Sequence, residues 1–210
     1  MASYGASQRA FAGDGNVHGS VEFMVDWNRN QYNSIVKKLD KIAQPMQIRK
    51  AINRAAKEAA DTGVTMTKRG IANDTTLKPA DIGKRVKRYQ FGSAMSMAIG
   101  MKISDTARPF VNFAYTPKKP KPKTAPTVEF YKGKKTIFEK GAFVQRMPTG
   151  HIGIYERTGE DSLPIKQMTG PSVTGIFKAN ESIHQFVWDA IWKKFEDRIM
   201  HNLEFILDGK

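Results

Sequence analysis

The chain has 210 residues, 40% of them hydrophobic and 10% aromatic, which is too apolar for a disordered polymer and sufficient for a buried core. It contains no cysteine, so disulfides, thiol catalysis and cysteine-bound metals are excluded together. The formal charge of +14 is uneven: residues 78–157 carry 17 Lys and Arg against 5 Asp and Glu, whereas residues 158–210 carry 6 against 8.

Such a localised surplus either makes a field that attracts phosphate backbones or an acidic protein surface, or serves as solvated lysine. Lys outnumbers Arg 23 to 11, which suits point-charge attraction more than bidentate base reading. No apolar run approaches the roughly 20 residues of a membrane helix, so no membrane association is expected. Residues 1–5 lack the basic and apolar regions of a secretory signal.

Residues 1–20, rich in Gly, Ser, Ala and Asn, read as a flexible N-terminal arm, and residues 21–210 as a single α+β domain. Residues 21–25 alternate and predict a short strand. From Asp26 the period becomes helical, with Tyr32, Ile35, Val36, Leu39 and Ile42 on one stripe. Pro45 opens a second helix, expected to run to about Lys68, because proline is tolerated in a first helical turn. Its inward face is Ile48, Ala51, Ile52, Ala55, Ala59 and Thr62, short side chains that let another element approach closely.

A short helix from Lys78 or Pro79 would turn Ile82, Val86 and Tyr89 inward and leave Lys84, Arg85, Lys87 and Arg88 on the solvent side. A helix-turn-helix reading of this stretch is weak, because no Arg-, Asn- or Gln-rich recognition face stands out. The period then falls to 2: Met95, Met97, Ile99, Met101 and Ile103 share one face of a strand, as core methionines and not as metal ligands. Phe110, Val111 and Phe113 predict a further strand. Residues 116–126 hold prolines among Lys118, Lys119, Lys121 and Lys123, and so predict an exposed extended loop.

Strands are expected at 127–131, 136–138, 142–146 and 151–157, joined as hairpins into a mainly antiparallel sheet or small sandwich. The last element is a helix capped by Asn180 and ending near Leu207, about 40 Å long at 1.5 Å per residue. Its apolar band is flanked by Trp188 and Trp192. That band packs either in the chain's own core or on a neighbouring subunit. The fold class is therefore α+β, with N-terminal helices, a β-rich middle and a long C-terminal helix.

No chemistry-bearing constellation emerges. His18, His151, His184 and His201 form no zinc pair, and no phosphate-gripping glycine loop follows a strand. Asp26, Asp81, Asp105 and Glu156 have no recurring short spacing and read as surface charge. No catalytic, cofactor-binding or metal-ligating residue is expected.

Three segments carry a resemblance: Gly141-Ala142-Phe143-Val144, then Gly150-His151-Ile152-Gly153-Ile154-Tyr155-Glu156-Arg157, then Leu163-Pro164-Ile165-Lys166-Gln167-Met168-Thr169-Gly170-Pro171-Ser172-Val173. In this order, before a long helix, they resemble the signature of the phage minor tail protein Z (tail completion) family. Upstream, Ala51, Asn53, Arg54, Ala55 and Ala56, then Ile82-Gly83-Lys84-Arg85-Val86, agree with it, so the similarity covers about residues 32–207. Two features depart from the pattern. Gln167-Met168-Thr169 stands where members often carry Glu-Leu-Tyr, and the lysine–proline loop is a local elaboration.

The resemblance implies a non-enzymatic virion protein, assembled in the host cytoplasm and placed in the tail or neck near the head. Its implied partners are tail terminator, tail-tube or head-tail connector proteins and further copies of itself, with a hexameric ring expected. On this reading Pro164, Gly170 and Pro171 fix a rigid connection, Leu163 and Ile165 anchor it, and Trp188 and Trp192 are interface candidates. Lys84, Arg85, Lys87, Arg88, Lys118, Lys119, Lys121 and Lys123 would meet packaged DNA without base reading, or an acidic partner. The alternative is a sequence-nonspecific nucleic-acid-binding protein acting through the same basic residues.

Overall fold

The computed structural model describes residues 19–24, 45–93, 96–121, 123–138, 141–159 and 161–207. The helix expected from Asp26 to Ile42 lies outside them, as do Met95 and most of the N-terminal arm. Strand β1 (Gly19–Met24) begins two residues inside the arm's expected boundary and pairs antiparallel with β3.

Helix α1 (Pro45–Asp74) runs six residues beyond its expected end at Lys68. Ile48, Ala51, Ile52, Ala55 and Ala59 are buried as their spacing requires, and the buried face continues through Thr67 and Ile71 instead of Thr62, which is half-buried. Gly63 explains how a glycine sits mid-helix without ending it. A Cβ there would lie 2.7 Å from Ile191 Cδ1, so the cost in propensity is offset by close helix contact.

Helix α2 (Pro79–Gly83) is only five residues long. The expected continuation to Tyr89 is incorrect: Val86 opens strand β2 (Val86–Ser93). The Lys84 and Arg85 amides close the turn onto Ala80 and Ile82, and the Ser104 amide then donates to the Arg85 carbonyl, starting a ladder with β3 (Ser96–Asp105). Val86 sits opposite Ile103, and both are buried. The inward positions Ile82 and Val86 were thus read correctly from a wrong local geometry.

Further on, β4 (Arg108–Pro109), a 3-10 turn (Phe110–Asn112) and β5 (Ala114–Thr116) replace the single strand expected around Phe110. Strands β6 (Thr127–Tyr131), β7 (Lys134–Ile137), β8 (Ala142–Arg146) and β9 (Ile152–Arg157) follow, with two short additions, β10 (Ile165–Gln167) and β11 (Thr169–Gly170). All pairings among the described residues are antiparallel, in four small sheets: β1-β3-β2, β5-β6-β7, β10-β9-β8 and β11-β4. The architecture is α+β, with every described strand but β1 falling between the two long helices in chain order.

Helix α3 (Val173–Ala179) was not foreseen, and α4 (Glu181–Leu207) follows it directly. Asn180 caps α4 as expected, its Oδ1 accepting from the Ile183 amide at 3.2 Å. Helices α1 and α4 run antiparallel. Asn202 Nδ2 donates to the Ala51 carbonyl at 3.1 Å, Arg198 pairs with Glu58, and Ile191 and Ile183 meet Gly63 and Gly70. The core joins Ile183, Val187, Ile191 and Phe195 of α4 to the small-residue face of α1 and to Met101 and Ile103 of β3. Each such buried large apolar side chain stabilises by about 1.5–3 kcal/mol relative to exposure, so this helix pair is the principal body of the fold.

Candidate functional site: a sheet-crossing strap and a lysine face

The run from Thr158 to Val173 ties three sheets together. Thr158 donates its amide and hydroxyl to the Pro164 carbonyl at 3.2 and 3.1 Å, closing a loop after β9. Ile165 then pairs opposite Arg157, the Met168 amide donates to Ile154, and the Met168 carbonyl accepts from Phe110. Gly170 sits opposite Arg108, and a Cβ on it would lie 2.6 Å from the Phe130 ring. No side chain fits there, because Phe130 is held edge-on by Phe110 and Phe113 at centroid distances of 5.0 Å. Pro171 leads to Ser172, whose hydroxyl accepts from the Gly175 amide at 3.0 Å as the cap of α3.

The connection built on Pro164, Gly170 and Pro171 therefore leads into α3 and not straight into the last helix. Ile165 is half-buried within it. Leu163 does not anchor it: that side chain is 67% exposed at the loop's tip.

Beneath the strap is a buried carboxylate that the sequence did not reveal. Asp105 ends β3, and its side chain has no exposure, which corrects its reading as surface charge. Its Oδ2 accepts from the Val173 amide at 3.0 Å, at the first residue of α3, and lies 2.9 Å from Arg108 Nε. Its Oδ1 is 3.4 Å from Arg85 Nε. A negative charge at a helix start is favourable, and two guanidinium groups balance the buried carboxylate, Arg108 from within the protein and Arg85 from its surface. Arg108, itself buried, also donates to the Asp81 carbonyl at 3.3 Å.

The structure separates the expected cationic residues into two sets. In the first, Arg85 is held by Asp105, Lys84 lies 3.3 Å from Asp81, and Arg88 lies 2.6 Å from Asp61 on α1. Lys87 points to solvent from β2. These pairs neutralise much of that set locally.

In the second set, Lys119, Lys121 and Lys123 are exposed on the extended loop. Lys118 Nζ stands 3.7 Å over the Tyr115 ring. Burial, and then the nearby Lys78 ammonium, pull the Lys118 amine below its ordinary range. Lys132, Lys134 and Lys135 on the β6–β7 hairpin, toward the other end of β6, are further exposed cations that the sequence analysis does not single out.

Trp188 and Trp192 pack edge-to-face at 5.6 Å on the half-buried flank of α4. A groove of about 390 Å³ opens between the start of α1 and the end of α4, lined by Lys50, Arg54, Asn202, Phe205 and Ile206 among others. Among the described residues, no three His, Cys, Asp or Glu side chains converge, and no helix is long and apolar enough to cross a membrane.

Residues 32–208 match the model of one family, described as prophage minor tail protein Z (GPZ). No curated protein and no solved structure matches the chain.

Proposed function

Because the chain belongs to the prophage minor tail protein Z family, we propose that this structural protein of a phage tail completes the tail's head-proximal end and helps join it to the head. It acts there as a homo-oligomeric ring, with six copies matching a sixfold tail, docked between tail terminator or tail-tube proteins and the head-tail connector. The family match over residues 32–208 carries the reading, since it takes in the strap and both long helices. The geometry supports a load-transmitting part: the strap fastens β4, β9 and α3 with backbone hydrogen bonds and leaves Leu163 outward at its tip.

Genetic removal tests this role. A phage lacking the chain should accumulate filled heads and full-length tails that do not join, and purified protein added to the extract should restore joining. Normal virions without it, or a failure to build tails at all, would reject the proposed position.

The exposed lysine loop favours a second reading, nonspecific contact with DNA. Phosphate contacts release counterions, so log affinity for duplex DNA should fall linearly with log salt, by about 0.9 per phosphate engaged. Affinity that ignores salt and DNA retention unaffected by Lys119→Glu, Lys121→Glu and Lys123→Glu would dismiss that contact.

A further inference from the structure

We propose that copies of this chain associate head to tail, the β6–β7 hairpin of one copy seating on the solvent-facing stripe of α4 in the next. The inference rests on the homo-oligomer reading above and assigns the contact within it.

The stripe on α4 comprises Phe186, Asp189, Lys193, Glu196, Asp197, Met200 and Glu204, which recur at helical spacing and are all exposed. Phe186 and Met200 are 48% and 58% exposed, although both are large and apolar. The opposite side of the helix buries Ile183, Val187, Ile191 and Phe195. Four carboxylates against one ammonium give the stripe a net charge of −3. Phe186 and Met200 stand about 21 Å apart along the helix, two separate apolar points among negative charge.

The hairpin has the converse character. Lys132, Lys134, Lys135 and Ile137 are exposed, Ile137 by 59%. Across the hairpin, residues 127–138, there are three lysines and one acid, Glu129, a net charge of +2. The Glu129 carboxylate accepts from the Gly133 amide at 2.7 Å, so it is engaged within the turn. Strand β7 is the edge of its sheet. Edge lysines discourage strand-to-strand pairing, which leaves side-chain docking onto a helix as the compatible mode. Opposite charge beside exposed apolar side chains on each surface is the complementarity that steers and orients a protein contact.

Within one copy the C-terminal half of the stripe lies far from the hairpin. The Lys132 amide donates to the Asp74 carbonyl and Thr75 bridges Tyr131, which fastens the hairpin to the C-terminal end of α1. Helix α4 begins at that same end, where Asn180 Nδ2 donates to Asp74 Oδ2 at 3.0 Å. From there Met200 and Glu204 lie roughly 30–35 Å along the helix. A contact between two different surfaces repeats from copy to copy, closing into a ring or continuing as a filament. DNA fits the pair poorly: phosphate offers nothing to Ile137, and the α4 stripe repels it.

Light scattering of the full-length protein after size separation tests the contact, across protein concentration and from about 50 to about 500 mM salt. Self-association of the wild type should weaken as salt rises. The helix variant Glu196→Lys/Asp197→Lys/Glu204→Lys and the hairpin variant Lys132→Glu/Lys134→Glu/Lys135→Glu should each lose self-association by about tenfold or more. Both should keep the wild-type circular dichroism and melting temperature. Mixed in equal amounts they should assemble again, because each then presents the charge that the other lacks.

A wild type that stays monomeric at every concentration overturns the contact and the ring together. Association unchanged in both variants overturns the contact and leaves the ring standing. A hairpin variant that assembles normally but no longer retards DNA assigns the hairpin to nucleic acid and also overturns the contact.

Discussion

Replacing Asp105 by alanine should be among the most damaging single changes outside the apolar core. The carboxylate has no exposure and serves three groups: Arg108 Nε at 2.9 Å, the Val173 amide at 3.0 Å and Arg85 Nε at 3.4 Å. Truncation leaves the Arg108 guanidinium, on a side chain only 10% exposed, without its counter-charge. It also strips the acceptor from the first amide of α3. Removing one partner of a buried ion pair costs about 3–5 kcal/mol, because the remaining charge stays desolvated. At about 2–4 °C per kcal/mol for a chain of this size, the melting temperature should fall by roughly 6–20 °C. Arg85→Ala should cost below about 1 kcal/mol, since that side chain is 44% exposed and water screens its pair. Asp105→Asn, which keeps an acceptor for Val173 but no charge, should fall between the two. Urea unfolding followed by circular dichroism measures all three. A loss under about 1 kcal/mol for Asp105→Ala, or strict additivity of Asp105→Ala with Arg108→Ala, would refute the idea of a mutually dependent buried cluster.

Other consequences follow from particular contacts. Gly63→Ala gains about 1 kcal/mol of helix propensity, but its Cβ would sit 2.7 Å from Ile191 Cδ1; a net loss of about 1–2 kcal/mol is expected. Adding Ile191→Val removes that Cδ1 but keeps Cγ1, which would still lie 2.9 Å from the new Cβ, so it should recover only part of the loss in denaturant melts. Asn180→Ala removes both the cap on Ile183 and the tie to Asp74, and should cost about 1–2 kcal/mol by the same measurement. The lowered affinity of Lys118 for its proton means the unfolded chain holds that proton more tightly. This group's contribution to stability should therefore rise with pH, from its depressed folded value toward the ordinary 10.5. Lys78→Ala should move the Lys118 titration upward by NMR.

Much of the fold was legible where one period governed a whole element. The small-residue stripe of α1 pointed inward, and the apolar band of α4, for which own core and neighbouring subunit were both open, meets it through Ile183 and Ile191. Ile99, Met101 and Ile103 alternated as the buried face of β3 requires. Reading failed where two periods coincide over a few residues. Ile82, Val86 and Tyr89 fit a helix by spacing, yet the turn closes at Gly83 and the ladder with β3 decides the rest. Helix α3 was missed because it is seven residues long with Gly175 inside it, too short for a periodic signal. Asp105 was misread for a different reason. Its partners Arg85, Arg108 and Val173 are brought together only by the β2–β3 pairing and the strap, which no local spacing encodes. Similarly, Arg88 looked like a solvent cation until α1 placed Asp61 beside it. The motif residues of the strap were recognisable by resemblance, whereas the outward position of Leu163 depends on how the loop closes.

The most direct test of the proposed role is the position of this chain in the assembled particle. Electron microscopy of virions and isolated tails carrying a tagged, functional copy should show the label at the head-proximal end of the tail, as a ring on the tail axis. Label at the distal tip, or spread along the tube, would contradict head-proximal completion.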